Sequence, residues 1–159
     1  MKFSLYSIAI LACLALTGRS LAQQGPKIGC KDPYILTQAT DLKHSFEEQG
    51  FEVLNDAMLS MDTREEFPVM VRMKQGDFYQ VLFVGNTRAN KVVLDLFAQN
   101  KKLVLHKEQK PMRQTSNVIS FSFTPERSED YMFMLSQVIK KGGSCGSFTI
   151  LRLKPEGER

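Results

Sequence analysis

Nucleophilic catalysis needs a nucleophile with a general base in reach. The candidate nucleophile with a motif around it is Ser144, and the candidate bases are the only two histidines of the chain, His44 and His106. Ser144 lies in residues 142–146, which fit the Gly-x-Ser-x-Gly pattern of a nucleophile elbow. A true elbow turns from a strand into a helix and has its histidine later in the chain. Here a β-prone segment follows Ser144 and no histidine does, so we expect a glycine-rich loop. Neither histidine has an acidic residue at a catalytic spacing, so both are predicted to be surface residues.

Three pairs of carboxylates are adjacent in the sequence, and adjacent carboxylates do not suit acid–base catalysis or metal binding. The pairs are Glu47-Glu48, Glu65-Glu66 and Glu129-Asp130. Adjacency places the two side chains on different faces of an element or in a solvated loop. Residues 62–66 hold three acids, but they include Arg64 and lack the spaced acidic series of a calcium loop. The cysteines and histidines have no metal-ligand spacing. The sequence therefore predicts no metal site, no cofactor and no catalytic residue.

Positive charge is concentrated between positions 88 and 113. This basic segment holds seven lysines and arginines against only Asp95 and Glu108. The seven cations are Arg88, Lys91, Lys101, Lys102, Lys107, Lys110 and Arg113. If the turns that carry them lie at one end of the fold, they form a basic rim suited to an anionic envelope component or an acidic protein partner. The alternative interpretation is that these lysines protect exposed edge strands from aggregation.

The amino terminus has the features of a secretory signal peptide over residues 1–22. Lys2 precedes an apolar run of about 15 residues, short for a bilayer span, and the segment ending at Ala22 suits cleavage before Gln23. An uncleaved membrane anchor is the alternative. Lipoprotein processing at Cys13 is disfavoured because the apolar run continues beyond that residue. We therefore expect an exported protein, periplasmic or extracellular, with no transmembrane span after cleavage.

Removal of the signal peptide leaves two cysteines, Cys30 and Cys145. An even pair in an oxidising compartment predicts a disulfide. A reactive thiol would need several neighbouring cations, a histidine or a helix start, and only Lys31 adjoins Cys30. We therefore predict a bridge that joins the two ends of the exported chain.

The periodicity of apolar residues changes from helical to strand-like near position 50. Asp32 followed by Pro33 predicts a helix start, and apolar residues then recur every three to four positions until about position 49. From Phe51 onward the period falls to two, and about eight short β-prone segments alternate with turns. Apolar residues from Phe51 to Met61 are expected to share one face of the first strand, and residues 75–77 to close a hairpin.

This order of elements predicts a mainly β fold. We expect one amphipathic helix followed by an antiparallel β-sandwich of jelly-roll type with about eight strands. No internal repeat, low-complexity tract or long linker divides the chain. The predicted organisation is a signal peptide over 1–22, an extended lead-in over 23–31, a single domain over 32–153 and a polar tail over 154–159.

Four segments of the strand region resemble the bacterial pre-peptidase C-terminal type of β-sandwich module. They are a Gly-bearing turn before an aromatic strand in 71–81, a Leu- and Asp-bearing strand in 92–97, a Phe-Thr-Pro segment before Tyr131, and the closing strand 146–150. The resemblance covers about residues 67–151 and implies a non-catalytic accessory or binding module. Two features depart from that family, since no peptidase is attached and a helix precedes the sandwich. The whole chain is also similar to small exported proteins of Bacteroidetes-like bacteria.

The amino-acid composition and the net charge exclude some classes of function for this chain. The chain has 159 residues, 43% hydrophobic and 24% charged, which is typical of a globular protein. Its formal charge is +4, but without Lys2 and Arg19 only 19 basic residues remain against 17 acidic ones, a balance that argues against nucleic-acid binding. We interpret the chain as a non-catalytic exported module that binds a protein or an envelope component. The alternative is a small secreted hydrolase whose site no sequence pattern reveals.

Overall fold

The structure, a computed structural model, describes residues 30–111, 113, 116–140, 143–155 and 157. These residues form one helix followed by eight strands, in the order α1 (Pro33–Glu48), β1 (Phe51–Met61), β2 (Phe67–Met73), β3 (Tyr79–Val84), β4 (Lys91–Phe97), β5 (Leu103–Gln109), β6 (Val118–Phe123), β7 (Glu129–Val138) and β8 (Ser144–Leu153). The predicted mainly β fold with a preceding helix is confirmed. The predicted signal peptide and residues 23–29 of the lead-in lie outside the described residues.

The eight strands form two antiparallel sheets of four strands. Sheet A has the order β1-β8-β3-β6, and sheet B has the order β2-β7-β4-β5. Each sheet alternates strands from distant parts of the chain, which is the arrangement of a jelly roll. Among the described strands, β4 and β5 are the one consecutive pair that are also hydrogen-bonded neighbours. Every other connection crosses from one sheet to the other.

The turn at residues 75–77 illustrates such a crossing. Gly76 has a φ of 80°, a left-handed conformation that favours glycine, so a chain reversal forms where the sequence predicts one. This turn joins β2 in sheet B to β3 in sheet A, and the two strands do not pair. The predicted hairpin is therefore wrong, because turn residues specify a local reversal and not the partner of the strand that follows.

Helix α1 begins as its sequence predicts and covers the outer face of sheet A. The carboxylate of Asp32 accepts hydrogen bonds from the backbone N–H groups of Tyr34 and Ile35, at 3.1 and 3.3 Å, which caps the helix. Ile35 and Ala39 are buried against Val84 of β3, together with Cys145 of β8. The outer side of the central strands β3 and β8 is thus covered by a helix of the same chain.

This cover explains why β3 is buried at every position rather than at alternate ones. Val81 and Phe83 belong to the core between the two sheets, whereas Leu82 and Val84 belong to the clusters on the outer side of sheet A. The central core also contains fully buried aromatic rings, and Phe83 packs there with the other apolar side chains of both sheets. Each such large side chain contributes about 1.5–3 kcal/mol of stability through burial.

Strand β1 changes face along its length. Its pairing with β8 shifts register between Val53 and Asn55, which is a β-bulge. Phe51, before the bulge, packs in the outer cluster of sheet A, whereas Leu59 and Met61, after it, lie in the core between the sheets. The prediction that these residues share one face is wrong, because one extra residue reverses the alternation of a strand.

The predicted disulfide is confirmed. Cys30 and Cys145 are bonded, with their Cα atoms 5.6 Å apart. The bridge ties the residues that precede α1 to β8, the strand on which the helix rests. It encloses 115 residues of sequence, and therefore nearly the whole domain.

Candidate functional site

The seven cations of the basic segment do not form one rim. Lys101 and Lys102 lie in the turn of the β4–β5 hairpin, whereas Lys91 begins β4 at its other end. A strand of seven residues is about 24 Å long, so these positions lie at opposite ends of the sandwich. The condition for a single rim, that the turns lie at one end of the fold, is not met, because an antiparallel hairpin separates the residues of its turn from those of its open end. A role of these side chains in binding stays a prediction.

Two of the cations are paired within the chain. The Nζ atoms of Lys91 and Lys110 lie 2.8 and 3.0 Å from the carboxylate oxygens of Glu108. Hydrogen bonds from Lys91 and then Lys110 lower the pKa of Glu108 to about 2. Part of the local positive charge is thus neutralised by an acid of the same strand pair. Of the remaining cations, Lys107 and both arginines, Arg88 and Arg113, are exposed.

Both histidines are exposed, as predicted, but each has a carboxylate beside it. His106 Nδ1 lies 2.5 Å from Asp95 Oδ1 on the neighbouring strand, and His44 Nε2 lies 3.4 Å from Glu48 Oε1, one helical turn away. The expectation that His106 has no acidic partner is wrong, because Asp95 is brought opposite it by strand pairing. These are solvent-exposed side-chain contacts of ordinary surface type.

The remaining chemical candidates do not assemble into a catalytic or metal site. Ser144 is buried at the first position of β8, so a strand and not a helix follows it. Its hydroxyl has no hydrogen-bond partner among the described residues. Across the described ranges there is no group of three or more His, Cys, Asp or Glu side chains that could hold a metal ion. The structured part of the chain also contains no helix long and apolar enough to cross a membrane.

Sheet B presents a continuous row of apolar side chains on its outer face. Met70 of β2 is opposite Met132 of β7, Met132 is opposite Phe97 of β4, and Phe97 is opposite Leu103 of β5. Residues opposite each other in a regular pairing point to the same side, which places Met70, Met132 and Phe97 on one face. The β4–β5 pairing shifts register between Leu96 and Phe97, and Leu103 pairs with Phe97 just beyond that shift. We call the outward side of sheet B the open face and these four residues the apolar row.

The apolar row is accessible to water. Met70 is 58% exposed and Leu103 is 49% exposed, whereas Met132 and Phe97 in the centre are partly buried. Polar side-chain pairs border the row on both sides. Arg72 lies 3.5 Å from Asp130 on one side, and the pair between Asp95 and His106 lies on the other. An apolar strip with a polar border is typical of a surface that binds a protein.

A cleft opens at the end of the sandwich where the β4–β5 hairpin meets the β6–β7 loop. This end cleft has a volume of about 610 Å³. Phe123 and Tyr131 line it, with their rings in edge-to-face contact at 5.2 Å between centroids. The backbone N–H of Gln99 donates to a carboxylate oxygen of Glu129 at 3.4 Å, which links the hairpin to the start of β7. The cleft therefore has walls from two elements that are held together.

The charged side chains that line the end cleft have no net charge, because two are basic and two are acidic. Its charged lining residues are Lys102 and Arg127 on the positive side, and Glu126 and Glu129 on the negative side. Burial, followed by the nearby Glu129 carboxylate, raises the pKa of Tyr131. The hydroxyl of Tyr131 therefore stays protonated at neutral pH, and it donates to the backbone carbonyl of Arg127 at 3.4 Å.

Neither the open face nor the end cleft was predicted from the sequence. A usable signal for the open face was present in β2 and β7, where residues 67–71 and 131–135 are apolar on both faces of the strand. An antiparallel strand at a solvated sheet face normally alternates apolar and polar residues. The cleft has no such signal, because its walls come from segments that are distant in sequence.

Comparison with known proteins assigns no family. No protein-family model matches the chain. No curated protein matches it either. The resemblance to pre-peptidase C-terminal modules therefore stays a prediction.

Several solved structures are similar to part of the chain. One is PliG of Aeromonas hydrophila, a periplasmic lysozyme inhibitor of g-type lysozyme, with 11% identity and a TM-score of 0.47 over 65% of this chain and 89% of that one. A second is a CBM4 structure, with 10% identity and a TM-score of 0.40 over 66% and 79%. A third is a Paenibacillus sp. cycloisomaltooligosaccharide glucanotransferase complexed with cycloisomaltoheptaose, with 9% identity and a TM-score of 0.36 over 64% and 15%. Similarity at this level assigns no function.

Proposed function

We propose that the protein is an exported, non-catalytic binding module that binds a protein partner in the periplasm or at the cell surface through the open face of sheet B. The observation that carries the proposal is the apolar row, which crosses all four strands of sheet B without a covering element among the described residues. The corresponding face of sheet A is covered by α1.

The chemistry of the row favours a protein as its partner. Met70 and Met132 have unbranched, polarisable side chains. Met134 is the next residue of β7 on the same face of the sheet. Methionine side chains adapt to irregular apolar surfaces, which is a property of protein-binding sites. Removing the exposed apolar atoms of the row from water would contribute favourably to association.

The open face alone is smaller than one side of a standard stable interface. Four strands at about 4.8 Å spacing and seven residues at about 3.4 Å give a face of roughly 450 Å². A standard stable interface buries about 800 Å² on each partner. We therefore expect the contacts of the protein partner to extend beyond the sheet.

Export is supported by the disulfide together with the predicted signal peptide. A disulfide that is buried at β8 and closes nearly the whole domain is typical of proteins that fold in an oxidising compartment. The proposed partner is therefore a protein that meets this chain outside the cytoplasm.

Charge substitutions in the apolar row test the proposal. Met70→Lys and Leu103→Lys each place a charge at an exposed position of the row, and Leu36→Lys does so at a 51% exposed position on α1, on the opposite side of the sandwich. The exported protein and the three variants are immobilised, and proteins captured from an envelope extract are quantified by mass spectrometry. The affinity of each captured protein is then measured in purified form.

The expected result is a partner whose affinity falls at least tenfold with either row variant and stays unchanged with Leu36→Lys. The thermal unfolding midpoint of all four proteins is measured in parallel, because exposed positions should tolerate lysine without loss of the fold. A partner that binds the row variants as tightly as the parent protein would overturn the assignment of the open face. Loss of binding only when Lys101 and Lys102 are replaced by Gln would instead assign recognition to the basic segment.

A further inference from the structure

We propose that the end cleft is a second binding site, which shares Leu103 with the apolar row, and that its ligand is an uncharged, hydroxyl-rich molecule of the saccharide class. The first support is its size. Sites for small molecules commonly have volumes of about 300–1,000 Å³, and the end cleft, at about 610 Å³, lies within that range.

The balance of charge in the cleft determines the charge of the ligand. An anionic ligand would approach Glu126 and Glu129, and a cationic ligand would approach Lys102 and Arg127. In either case repulsion from two like charges would oppose the attraction of the other two. A ligand without net charge meets no such opposition, and its polar groups can bond to both kinds of side chain.

The lining of the cleft suits a ligand that has many donors and acceptors close together. Gln99, Asn100 and Thr124 carry groups that both donate and accept hydrogen bonds. The carboxylates accept from hydroxyl groups, and the lysine and the arginine donate to hydroxyl or ring oxygens. A saccharide presents donors and acceptors at this density, whereas an alkyl or aromatic ligand would leave most of these groups unpaired.

An apolar strip completes the site. Phe123 is partly exposed at the end of β6, and Val104 is exposed at the start of β5. Both line the cleft. The C–H face of a sugar ring can pack against these apolar side chains while its hydroxyl groups bond to the polar lining residues. A peptide strand is less suited, because the side-chain lining does not offer the regular backbone partners that bind an extended chain.

The test uses the full exported chain, labelled with ¹⁵N, in its disulfide-bonded form. Amide shifts are recorded on addition of cellotetraose, maltotetraose or N-acetylchitotetraose as uncharged probes. A heparin-derived tetrasaccharide is the anionic probe, and a blocked uncharged pentapeptide is the peptide probe. We expect at least one uncharged saccharide to shift signals of residues 99–104 and 123–131, with an affinity that changes less than twofold between low and high salt, because no net ionic attraction contributes.

A matched pair of double variants completes the experiment. Glu126→Ala combined with Arg127→Ala removes one acid and one base from the cleft, and Glu66→Ala combined with Lys140→Ala removes one acid and one base from exposed loops at the opposite end of the sandwich. The cleft variant should bind the saccharide at least tenfold more weakly, and the control variant should bind it as the parent does.

The proposal is overturned if none of the three uncharged saccharides shifts the cleft signals at millimolar concentration. It is equally overturned if only the heparin fragment or only the peptide shifts them. These results come from the unmodified protein, so they do not depend on the folding of any variant. They are distinguishable from failure of the protein partner proposed above through Met70→Lys, because Met70 does not line the cleft, whereas Leu103 lines the cleft and also belongs to the apolar row.

Discussion

Opening the bridge between Cys30 and Cys145 should destabilise the whole domain rather than the helix alone. The bridge joins the residue two positions before the helix cap, Asp32, to the second position of β8. Its sulfur atoms lie in the cluster that holds α1 on sheet A, together with Ile35 and Ala39. Reduction leaves these packing contacts available, so its principal effect is expected on the unfolded chain.

The magnitude follows from the length of the loop. A cross-link that closes 115 residues restricts the unfolded chain by about 4–5 kcal/mol at 25 °C in the chain-entropy treatment. A domain of this size has a free energy of unfolding of about 5–15 kcal/mol. Loss of the bridge should therefore remove about a quarter or more of the total free energy of unfolding.

The assay is urea unfolding of the oxidised protein, the reduced protein and the Cys30→Ala variant. The free energy of unfolding should fall by about 2–5 kcal/mol in both altered forms, a range that allows for native-state strain and residual structure. The m-value should rise, because the unlinked unfolded chain exposes more surface. Hydrogen exchange is then measured under native conditions, where protection should fall in β3 and β8 as well as in α1.

Two results would refute this reasoning. One is a fall of less than about 1 kcal/mol in the free energy of unfolding with the native fold retained. This result would mean that loop closure does not stabilise the domain by restricting the unfolded chain. The other is a loss of hydrogen-exchange protection confined to residues 33–48, which would assign the bridge a local role in holding α1. Free thiols at both positions in exported material would remove the premise itself.

Three further predictions concern the helix, the surface charges and the amino terminus. Ile35→Ala, at a position that is 1% exposed, should lower the free energy of unfolding by about 2–5 kcal/mol in a urea titration, and a loss under 1 kcal/mol would contradict the packing of α1 on sheet A. The pKa of Glu108, measured by NMR titration, should be about 2. The Glu108 carboxylate therefore stabilises the fold above the ordinary pKa of 4.5, and this stabilisation is lost as the pH falls toward 2. Replacement of Lys91 by Gln should raise the pKa of Glu108. Intact mass of the exported protein should correspond to cleavage between Ala22 and Gln23, and retention of residues 1–22 would contradict the signal peptide.

The elements of the fold could be predicted because their signals are local. The pair Asp32-Pro33 marks the start of α1, and the fall in apolar period after position 50 marks the change to strands. The disulfide followed from the count of cysteines in an exported chain. Strand pairing could not be predicted in this way, because a jelly roll joins strands that are distant in sequence and leaves neighbours such as β2 and β3 unpaired.

The candidate sites depend on that distant pairing, and for this reason the sequence did not reveal them. Met70 and Met132 are far apart in the chain and become neighbours only when β2 pairs with β7. The basic segment was contiguous in sequence, yet the hairpin that carries it places Lys91 and Lys102 at opposite ends of the sandwich. Closeness along the chain is therefore a poor guide to surface composition in this fold.

The position of β8 has a consequence for how the protein reaches its folded form. β8 lies between β1 and β3 in sheet A, so the first strand of the sandwich has no partner until the final strand is present, with Phe51 paired to Leu153. If the chain crosses a membrane starting from its amino terminus, strands β1 to β7 emerge before β8, the strand that joins β1 to β3 in sheet A. Cys30 would likewise wait for Cys145, which belongs to the same late strand. Folding of sheet A and formation of the disulfide should therefore both follow the arrival of the last strand.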